Sequence, residues 1–587
     1  MEQNIELKRH SMAHVVAAAA FKFYPNAKFG VGPTVENGFY YDIDFGETIT
    51  EEDLKKIEKQ AKKMVSQNLD FIREEMNIDE AIKYFVDLGQ NYKVELLRDL
   101  KEKGTTKMGE EESTAVEKVS VYKTGDFVDL CRGPHVENTK ELNAKGLKLN
   151  KLAGAYWRGD AENAQLQRVY GLYFDNGEEL QKYLELLVEV EKRDHRKLGK
   201  ELALFSLHEE GPGFPFWHAN GMVLYSAVEE FIRKENSNRG YSEIKTPVIL
   251  NKDLWVKSGH WDKFRENMYF TEIDNEEYAV KPMNCPGGLL VYKEYPHSYK
   301  ELPIRNAELG LVHRHELSGV LHGLFRVRSF VQDDAHSFCT NEQLEDEITQ
   351  MVDFAVDVYS AFDFNEYTIY IATRPEKYIG SEEDWEMATS ALKNALEVKG
   401  IDYKIKEGEG AFYGPKIEFD IKDSLGRDWQ CGTVQVDYSM PARFEASYID
   451  KDGQAKTPVM VHRAILGSME RFLGIVIEHY AGAFPAWLAP KQVALLPVSE
   501  KHVKGVRELK KELFDLGMRV YIDEADETVG KKVKKAVSQK IPYIIVVGDK
   551  EVEGGGWTVR VRGQEEQLQM SKKDFIEKVL EEISTRK

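Results

Sequence analysis

The segment from His313 to Cys339 concentrates side chains that bind anions and metal ions. It holds four histidines, three arginines, two adjacent aspartates and a cysteine, separated by apolar residues. Over residues 324–332 the apolar side chains alternate with charged or polar ones, which predicts strands with one face in a core. An amphipathic hairpin with a solvated face is the alternative, but such a face more often carries lysine and glutamate. The segment therefore predicts part of a surface that binds anions and a metal.

Two other segments supply further metal ligands. KPMNCPGG contains Cys285, and VHRAILGSMERF contains His462 before a helix that displays Arg471. With His336 they would give zinc three protein ligands and leave a fourth position for substrate, as in working zinc sites. Spacing leaves two alternatives open: Cys339 replaces one ligand, or these are unrelated core residues.

The N-terminal region contains a second cluster. IELKRHSMAHVVAAAAFKFY predicts a helix over residues 5–24 with two histidines on one face, and VDLCRGPH predicts a strand before a Gly-Pro turn. Zinc prefers imidazole and thiolate ligands, although each residue alone could be buried and hydrogen-bonded. The cluster comprises His10, His14, Asp129, Cys131 and His135, and Tyr41 and Lys93 are candidates that spacing does not place.

The chain that must position these clusters is long and acidic. Its 587 residues predict three or four domains of roughly 100–200 residues each. The net charge of −20 does not exclude a nucleic-acid partner, because residues 491–587 have 20 Lys+Arg against 17 Asp+Glu. Four scattered cysteines without a CxxC pair, no signal region and no run of about 18 apolar residues predict a cytoplasmic protein that does not enter membranes.

Element patterns divide the chain into segments. Residues 178–200 predict a connecting helix, and 201–488 alternate long helices with strands, which favours an antiparallel or mixed sheet with helices on one side. No P-loop or GxGxxG stands at a strand–helix junction. The last hundred or so residues predict an alternating α/β unit. Its helix Val529–Lys540 carries five lysines, which form a solvated face or a docking site for a phosphate backbone.

Several motifs together resemble the bacterial-type threonyl-tRNA synthetases, which are class II aminoacyl-tRNA synthetases, from about residue 5 to the C-terminus. These motifs are RHSMAH, VDLCRGPH, KPMNCPG, HRHE, RVRSFVQDDAHSFC, GEGAFYGPKIEF, WQCGTVQ and HRAILGSMERF, in the family's arrangement. The resemblance implies a multidomain α+β protein and a homodimer built partly through the segment around Pro247. Its domains would be an α+β editing domain (1–177), a linker helix (178–200), a class II catalytic domain with an antiparallel sheet (201–488) and an α/β anticodon-binding domain (489–587).

The resemblance also implies a reaction and its residues. L-threonine, ATP and magnesium would give threonyl-adenylate, and the threonyl group would pass to threonine tRNA with help from His260. The implied ATP-binding residues are Arg314, Glu316, Arg326, Phe330 and Arg471. The implied threonine-binding residues are Gln332, Asp334, Tyr413 and Gln435. The implied zinc ligands are Cys285, His336 and His462, without Cys339.

In this family zinc binds the amino and hydroxyl groups of threonine. Valine is rejected because it has no hydroxyl to complete the coordination. Serine keeps the hydroxyl and lacks one methyl, worth only about 1–3 kcal/mol, so a second, hydrolytic site is expected. The resemblance places that editing site at His10, His14, Tyr41, Lys93, Asp129, Cys131 and His135. Threonyl enzymes are thought to use these residues for water and substrate, whereas related alanyl editing domains hold zinc with them.

The C-terminal resemblance includes anticodon contacts at Glu551 and Arg560. Three departures stand out: no N-terminal ubiquitin-like module precedes His10, Gly288 stands where many members have histidine, and Ala525–Thr528 replaces a familiar Arg-Asn-Glu-Lys. Two other hypotheses follow, namely an RNA-binding or regulatory paralogue that does not charge tRNA, and a stand-alone zinc hydrolase centred on the N-terminal cluster.

Overall fold

The computed structural model describes residues 2–106, 116–160 and 162–586. The chain divides into two compact units, Met1–Val188 and Glu189–Lys587. In the described part of the chain, no helix is both long enough and apolar enough to cross a membrane.

The first unit places one long helix against an antiparallel sheet. Strands run in the order β1-β3-β8-β7 with β2 beside β3, and β4-β5-β6 form a second sheet. Helix α1 contacts α2 and β3, and its run Ala17–Ala20 is buried, where small side chains allow close approach. The helices are α1 (Glu2–Phe23), α2 (Glu51–Val65), α3 (Ile78–Asp87) and α4 (Asn91–Lys103). The strands are β1 (Lys28–Phe29), β2 (Thr34–Val35), β3 (Gly38–Asp44), β4 (Phe71–Asn77), β5 (Lys118–Thr124), β6 (Phe127–Leu130), β7 (Leu147–Tyr156) and β8 (Gln165–Tyr173).

The predicted connecting helix over 178–200 is two helices. Helix α5 spans Gly177–Arg193 and contains the boundary between the units, and α6 spans His195–Glu201. Asp194 separates them, and its carboxylate accepts a hydrogen bond from the Arg196 backbone N–H at 2.8 Å. An aspartate that caps a helix in this way begins a new helix, which is why the single-helix prediction is wrong.

The second unit is built on a large, mostly antiparallel sheet in the order β11-β15-β16-β23-β20-β19-β17-β18. Only the pairs β11–β15 and β17–β18 are parallel among its described strands. The elements of this part are β9 (Phe205–Ser206), β10 (Phe216–Trp217), α7 (Ala219–Asn238), β11 (Ser242–Glu243), β12 (Ile249–Asn251), α8 (Lys252–Ser258), α9 (His260–Phe264), β13 (Tyr269–Ile273), β14 (Glu276–Val280), α10 (Cys285–Lys293), β15 (Ile304–His313), β16 (Ser329–Cys339), α11 (Leu344–Ala361), β17 (Tyr367–Ala372), α12 (Glu382–Val398), β18 (Lys404–Lys406), β19 (Lys416–Lys422), β20 (Asp428–Asp437), α13 (Ser439–Arg443), β21 (Tyr448–Ile449), β22 (Ala455–Lys456), β23 (Val459–Ala464) and α14 (Met469–His479).

Helices α7, α11, α12 and α14 share the main hydrophobic core with this sheet. The antiparallel sheet with flanking helices is therefore confirmed. Helix α12 begins after Ser381 because Ser381 and Asp384 form a reciprocal capping box.

The strand prediction over residues 324–332 is only partly correct. β15 and β16 pair antiparallel from Ile304↔Phe338 to His313↔Ser329, and residues 314–328 form the loop between them. A bridge between His322 and Arg326 closes the loop tip, and Leu324 is buried there. The alternation of buried and charged residues in 324–328 thus comes from a folded loop and not from a strand.

The C-terminal part begins as the predicted alternating α/β unit. Its sheet order is β25-β24-β26-β27-β28, with β24 parallel to β25 and β26, and β27 and β28 antiparallel. The elements are β24 (Val493–Pro497), α15 (Val503–Asp515), β25 (Val520–Ile522), α16 (Val529–Ser538), β26 (Tyr543–Val547), α17 (Asp549–Val552), β27 (Trp557–Val561), β28 (Leu568–Met570) and α18 (Lys572–Thr585).

The lysine-rich helix α16 is not a uniformly free basic face. Lys531 and Lys535 form ion pairs with Glu527 at 2.8 and 2.5 Å, and buried Lys532 donates to the Pro497 carbonyl. These contacts leave less positive charge for a phosphate backbone than the sequence alone suggests.

Candidate active site

The three candidate zinc ligands meet in the second unit. Cys285 is the first residue of α10, His336 lies on β16 and His462 on β23. The strands pair so that His336 is directly opposite His462, and the three ligand atoms lie within 4.8 Å of one another. All three residues are buried, as expected for a metal site shielded from bulk water.

His462 has the polar environment of a metal-binding imidazole. Its Nε2 lies 3.2 Å from Oδ2 of Asp437, and its Nδ1 is buried without a hydrogen-bond partner in the described part of the chain. A carboxylate on one imidazole nitrogen orients the other toward a metal. Burial lowers the pKa of His462, but Cys285 and Asp437 outweigh burial and raise that pKa to about 10. The three residues fit zinc, which would displace the bound proton.

Sequence reasoning missed Asp437, although its spacing from Gln435 could have identified it. Asp437 lies two residues after Gln435 on β20, so both side chains point to the same face of the sheet. Gly288 also adjoins the candidate zinc site, because a Cβ there would lie 3.3 Å from Nδ1 of His336. A larger residue at position 288 would therefore be in tight contact with His336, which would have to shift by a few tenths of an ångström.

A cavity of about 640 Å³ adjoins the candidate zinc ligands. Its size is that of a site for a small molecule or a nucleotide. The cavity brings together nearly all residues predicted for this site, namely Cys285, Arg314, Glu316, Arg326, Phe330, Gln332, Asp334, His336, Tyr413, Gln435, His462 and Arg471.

One part of the cavity is suited to phosphate and an aromatic base. The Arg314 guanidinium lies 5.2 Å from the centre of the Phe330 ring, and its Nη2 is 3.4 Å from Oε1 of Gln332. Arg471 lines the same cavity, where its guanidinium can donate to a phosphate oxygen, and its buried Nε has no partner among the described residues. Glu316 forms an ion pair with Arg326 at 2.9 Å, which holds these two side chains at the cavity.

Another part of the cavity is suited to a small polar amino acid. The Tyr413 hydroxyl donates to Oε1 of Gln435 at 2.7 Å, and Nδ2 of Asn284 donates to Oδ2 of Asp334 at 2.8 Å. Asn284 is fully buried and was not predicted, although KPMNCPGG contains it. A Cβ at Gly310 would lie 2.2 Å from Asn284, so glycine is required for Asn284 to reach Asp334.

His260 is separated from the other candidates. It is fully buried and does not line the cavity, its Nδ1 lies 2.8 Å from the Ser258 hydroxyl, and its Nε2 lies 2.9 Å from Sδ of Met283. Burial lowers its pKa to about 3. Met283 lines the cavity, so His260 adjoins the site through that side chain.

The first unit brings the predicted editing residues together. His10 and His14 on α1 meet Cys131 and His135, and the four potential ligand atoms lie within 4.8 Å of one another. The Cys131 Sγ is 3.3 Å from Nε2 of His10 and 3.4 Å from Nε2 of His135.

A buried charged network adjoins this quartet. Lys93 forms an ion pair with Asp129 at 2.5 Å and donates to the Gly30 carbonyl at 2.6 Å. Tyr41 donates to Asp129, and burial together with that carboxylate raises the pKa of Tyr41 well above its ordinary value. Because Lys93 and Asp129 are paired and have further hydrogen bonds, their charges can remain buried.

Burial sets the protonation of the quartet. It lowers the pKa of His10 and His14 and lowers that of His135 to about 2, while it raises the pKa of the Cys131 thiol to about 11. Near neutral pH the imidazoles are uncharged and the thiol is protonated. Without a metal, the site therefore favours oriented water over attack by a thiolate.

The two candidate anticodon residues lie on neighbouring elements of the C-terminal sheet region. Glu551 on α17 accepts a hydrogen bond from the Gly548 N–H at 2.9 Å, whereas Arg560 on β27 is exposed. An exposed guanidinium can contact RNA without the loss of an existing ion pair.

Three family profiles match separate parts of the sequence. They are the tRNA synthetase class II core domain (G, H, P, S and T) at residues 269–480, the anticodon binding domain at 492–582, and the threonyl and alanyl tRNA synthetase second additional domain at 119–170. The first profile contains the candidate zinc ligands and the cavity residues, and the third contains Asp129, Cys131 and His135.

Relatives match nearly the whole chain. A threonine–tRNA ligase of Clostridium tetani is 52% identical over 585 residues, which cover 100% of this chain and 89% of that protein. One from Carboxydothermus hydrogenoformans is 52% identical over 582 residues, 99% of this chain and 89% of that protein. A crystal structure of the RNA binding domain of threonyl-tRNA synthetase from Cryptosporidium parvum is 40% identical, with a TM-score of 0.64, and covers 66% of this chain and 98% of that one. By this identity over nearly its full length, the chain belongs to the threonine–tRNA ligase family of class II aminoacyl-tRNA synthetases.

Proposed function

We propose that the chain activates L-threonine with ATP, transfers the threonyl group to threonine tRNA, and hydrolyses seryl-tRNA formed in error. The observation that carries this proposal is the convergence of the zinc cluster, the two arginines Arg314 and Arg471, and the threonine-binding candidates around one cavity. A non-charging paralogue would have no need to retain this complete set.

Adenylation requires positioning and charge neutralisation more than acid–base catalysis. The threonine carboxylate attacks the α-phosphorus of ATP, and pyrophosphate leaves from the opposite side. Arg314 binds the α-phosphate and Arg471 the γ-phosphate, with Mg²⁺ as the further counter-charge, and fixed donors of this kind lower the barrier without reorganisation. Glu316 and Phe330 hold the adenine by a hydrogen bond and stacking, and Arg326 fixes Glu316.

The amino-acid site selects a side chain with a hydroxyl. Cys285, His336 and His462 would hold zinc, which would supply a Lewis acid for the amino and hydroxyl groups of threonine. Gln332, Asp334, Tyr413 and Gln435 orient the amino acid, and His260 assists transfer to the terminal ribose. Valine has no hydroxyl to offer a metal at this position, whereas serine would lose only the contacts of one methyl group.

Parallel aminoacylation of threonine tRNA with threonine, serine and valine tests this function. We expect stable charging with threonine, activation of serine without accumulation of seryl-tRNA, and no activation of valine. Absence of threonine charging by folded protein would contradict the proposed ligase and favour the non-charging paralogue. Stable seryl-tRNA with the unaltered enzyme would contradict the editing function alone.

Arg560→Ala is predicted to weaken tRNA binding without affecting threonine activation. Loss of one guanidinium contact to a base costs about 1–3 kcal/mol, so the KM for tRNA should rise about tenfold. Threonine-dependent ATP–pyrophosphate exchange should remain unchanged, because it does not involve the anticodon. Arg507→Ala is the matched control, since exposed Arg507 pairs with Glu524 on the same domain. Equal effects of both variants on the KM for tRNA would reject a specific role for Arg560 and leave only a general charge effect.

We further propose the domain limits 1–177 for editing, 178–200 for the linker, 201–488 for catalysis and 489–587 for anticodon binding. The profile matches at 119–170, 269–480 and 492–582 support this division. A homodimer is supported by exposed apolar side chains near Pro247, including Ile249 and Phe270. A cytoplasmic location agrees with four free cysteines and with tRNA as substrate.

A further inference from the structure

His195 is a fully buried histidine outside the cavity that the proposed reaction uses. It is the first residue of α6. Its backbone N–H donates to Oε1 of Glu478 at 3.0 Å, and its Nδ1 lies 2.6 Å from the same oxygen. Its Nε2 accepts a hydrogen bond from the Leu324 backbone N–H at 2.9 Å. Because a backbone N–H can only donate, the ring proton must be on Nδ1, from which it donates to Glu478.

Asp194, His195 and Glu478 have the composition and proximity of a metal site. Their polar atoms are already used by protein partners, however. Oε2 of Glu478 accepts from Arg427 at 2.6 Å, and Asp194 accepts from the backbone and side chain of Arg196. Both ring nitrogens of His195 are hydrogen-bonded to protein groups. These three residues therefore hold neighbouring segments together and do not bind a metal.

The two partners of His195 belong to the two elements proposed to bind ATP. Leu324 lies at the tip of loop 314–328, which carries Glu316 and Arg326. Glu478 is seven residues, or about two turns, after Arg471 on α14. One imidazole therefore links the loop proposed for adenine to the helix proposed for the γ-phosphate.

Local packing makes this link specific. Gly323 has φ of +51°, and a Cβ there would lie 2.0 Å from Nε2 of His195, so the loop approaches the imidazole as closely as a glycine allows. The Phe325 ring lies 4.1 Å from the His195 ring and 4.4 Å from Trp429, and it lines the cavity. A displaced Leu324 would move Phe325 and the adjacent Arg326.

We propose that His195 positions the ATP-binding residues. By accepting a hydrogen bond from the Leu324 N–H, His195 holds loop 314–328 in its ATP-binding conformation. The inference rests on the proposed function, since it requires that the loop binds ATP. It assigns no contact between His195 and threonine, whose proposed residues lie on β16, β20 and the segment around Tyr413.

Two substitutions separate the two hydrogen bonds of the imidazole. Asparagine can place an amide nitrogen where Nδ1 lies but cannot reach Leu324, whereas glutamine can place an oxygen where Nε2 lies. In threonine-dependent ATP–pyrophosphate exchange, we expect His195→Asn to raise the KM for ATP about tenfold, equivalent to about 1.4 kcal/mol. The KM for threonine should stay within about twofold, and His195→Gln should restore the KM for ATP to within about threefold of the unaltered enzyme.

Gly323→Ala tests the same contact from the loop, without a change in the buried ring. It should give the same selective rise in the KM for ATP. His502→Asn is the matched control, because His502 is also buried with both nitrogens bonded, to Ser499 and Asp549, far along the chain. That control should leave both KM values unchanged, and thermal unfolding of each variant will report any general loss of stability.

The outcomes distinguish this inference from the proposed function. An unaltered enzyme without threonine-dependent exchange would contradict the proposed function itself. An active enzyme whose KM for ATP is unchanged in His195→Asn and Gly323→Ala would overturn only the positioning role. A parallel rise in both KM values, or no difference between the asparagine and glutamine variants, would also overturn it, because a merely structural histidine would behave in that way.

Discussion

Replacement of His336 by alanine is expected to abolish threonine-dependent ATP–pyrophosphate exchange, with a loss in kcat/KM of at least about a thousandfold. His336 lies directly opposite His462 on the neighbouring strand, and both lie beside Cys285. Without His336 the site retains two ligands, too few to hold zinc with a position open for threonine. Exchange kinetics and the zinc content of purified protein measure the two consequences separately.

Cys339→Ala is the matched control for this prediction. Cys339 lies three residues after His336 on the same strand, so its side chain points to the other face of the sheet, where it is fully buried in the main core. The control should retain zinc and exchange activity, although the smaller side chain will lower the free energy of unfolding. Normal exchange in His336→Ala would reject the zinc assignment, and loss of zinc in Cys339→Ala would reassign a ligand.

Residue type singled out the candidate zinc ligands, but local sequence could not predict that they lie close together. His336 and His462 are brought together by strand pairing between segments far apart in the chain, and short-range periodicity carries no information about that register. Spacing alone left Cys339 as an alternative ligand, and the sheet places its side chain on the opposite face. Family resemblance supplied the choice that spacing alone did not.

Sequence reasoning mainly missed residues that hydrogen-bond to the candidate functional residues. Asn284 and Asp437 each stand beside a predicted site residue, yet a buried asparagine or aspartate has many possible hydrogen-bond partners. His195 gave no signal, because its role depends on contacts with Leu324 and Glu478 that only the tertiary structure forms. The strand prediction is wrong for residues 324–328 because burial of Leu324 at the folded tip of the loop mimics strand alternation.

Cys131→Ala is predicted to raise the accumulation of seryl-tRNA and to leave threonine activation unchanged. The Cys131 sulfur lies between the imidazoles of His10 and His135 and accepts a hydrogen bond from the Gly133 N–H at 3.3 Å. Its removal leaves these imidazoles without their shared partner, so water at the ester is less well oriented. We expect deacylation of seryl-tRNA to slow at least about tenfold, within the range for loss of acid–base positioning. Threonine-dependent exchange is the internal control, because the cavity residues all belong to the second unit.

The Cys131 variants also decide between the two chemistries that fit this quartet. Burial raises the pKa of the thiol to about 11, so without a metal it is a protonated, hydrogen-bonding group, and Cys131→Ser should keep most of the deacylation activity. A zinc site would instead depend on the thiolate, and both Cys131 variants would then lose metal. We expect about one zinc ion per chain, retained in Cys131→Ala and lost in His336→Ala. A second zinc ion that disappears with Cys131 would reject the water-based site, and rapid deacylation in Cys131→Ala would remove this cysteine from the editing reaction altogether.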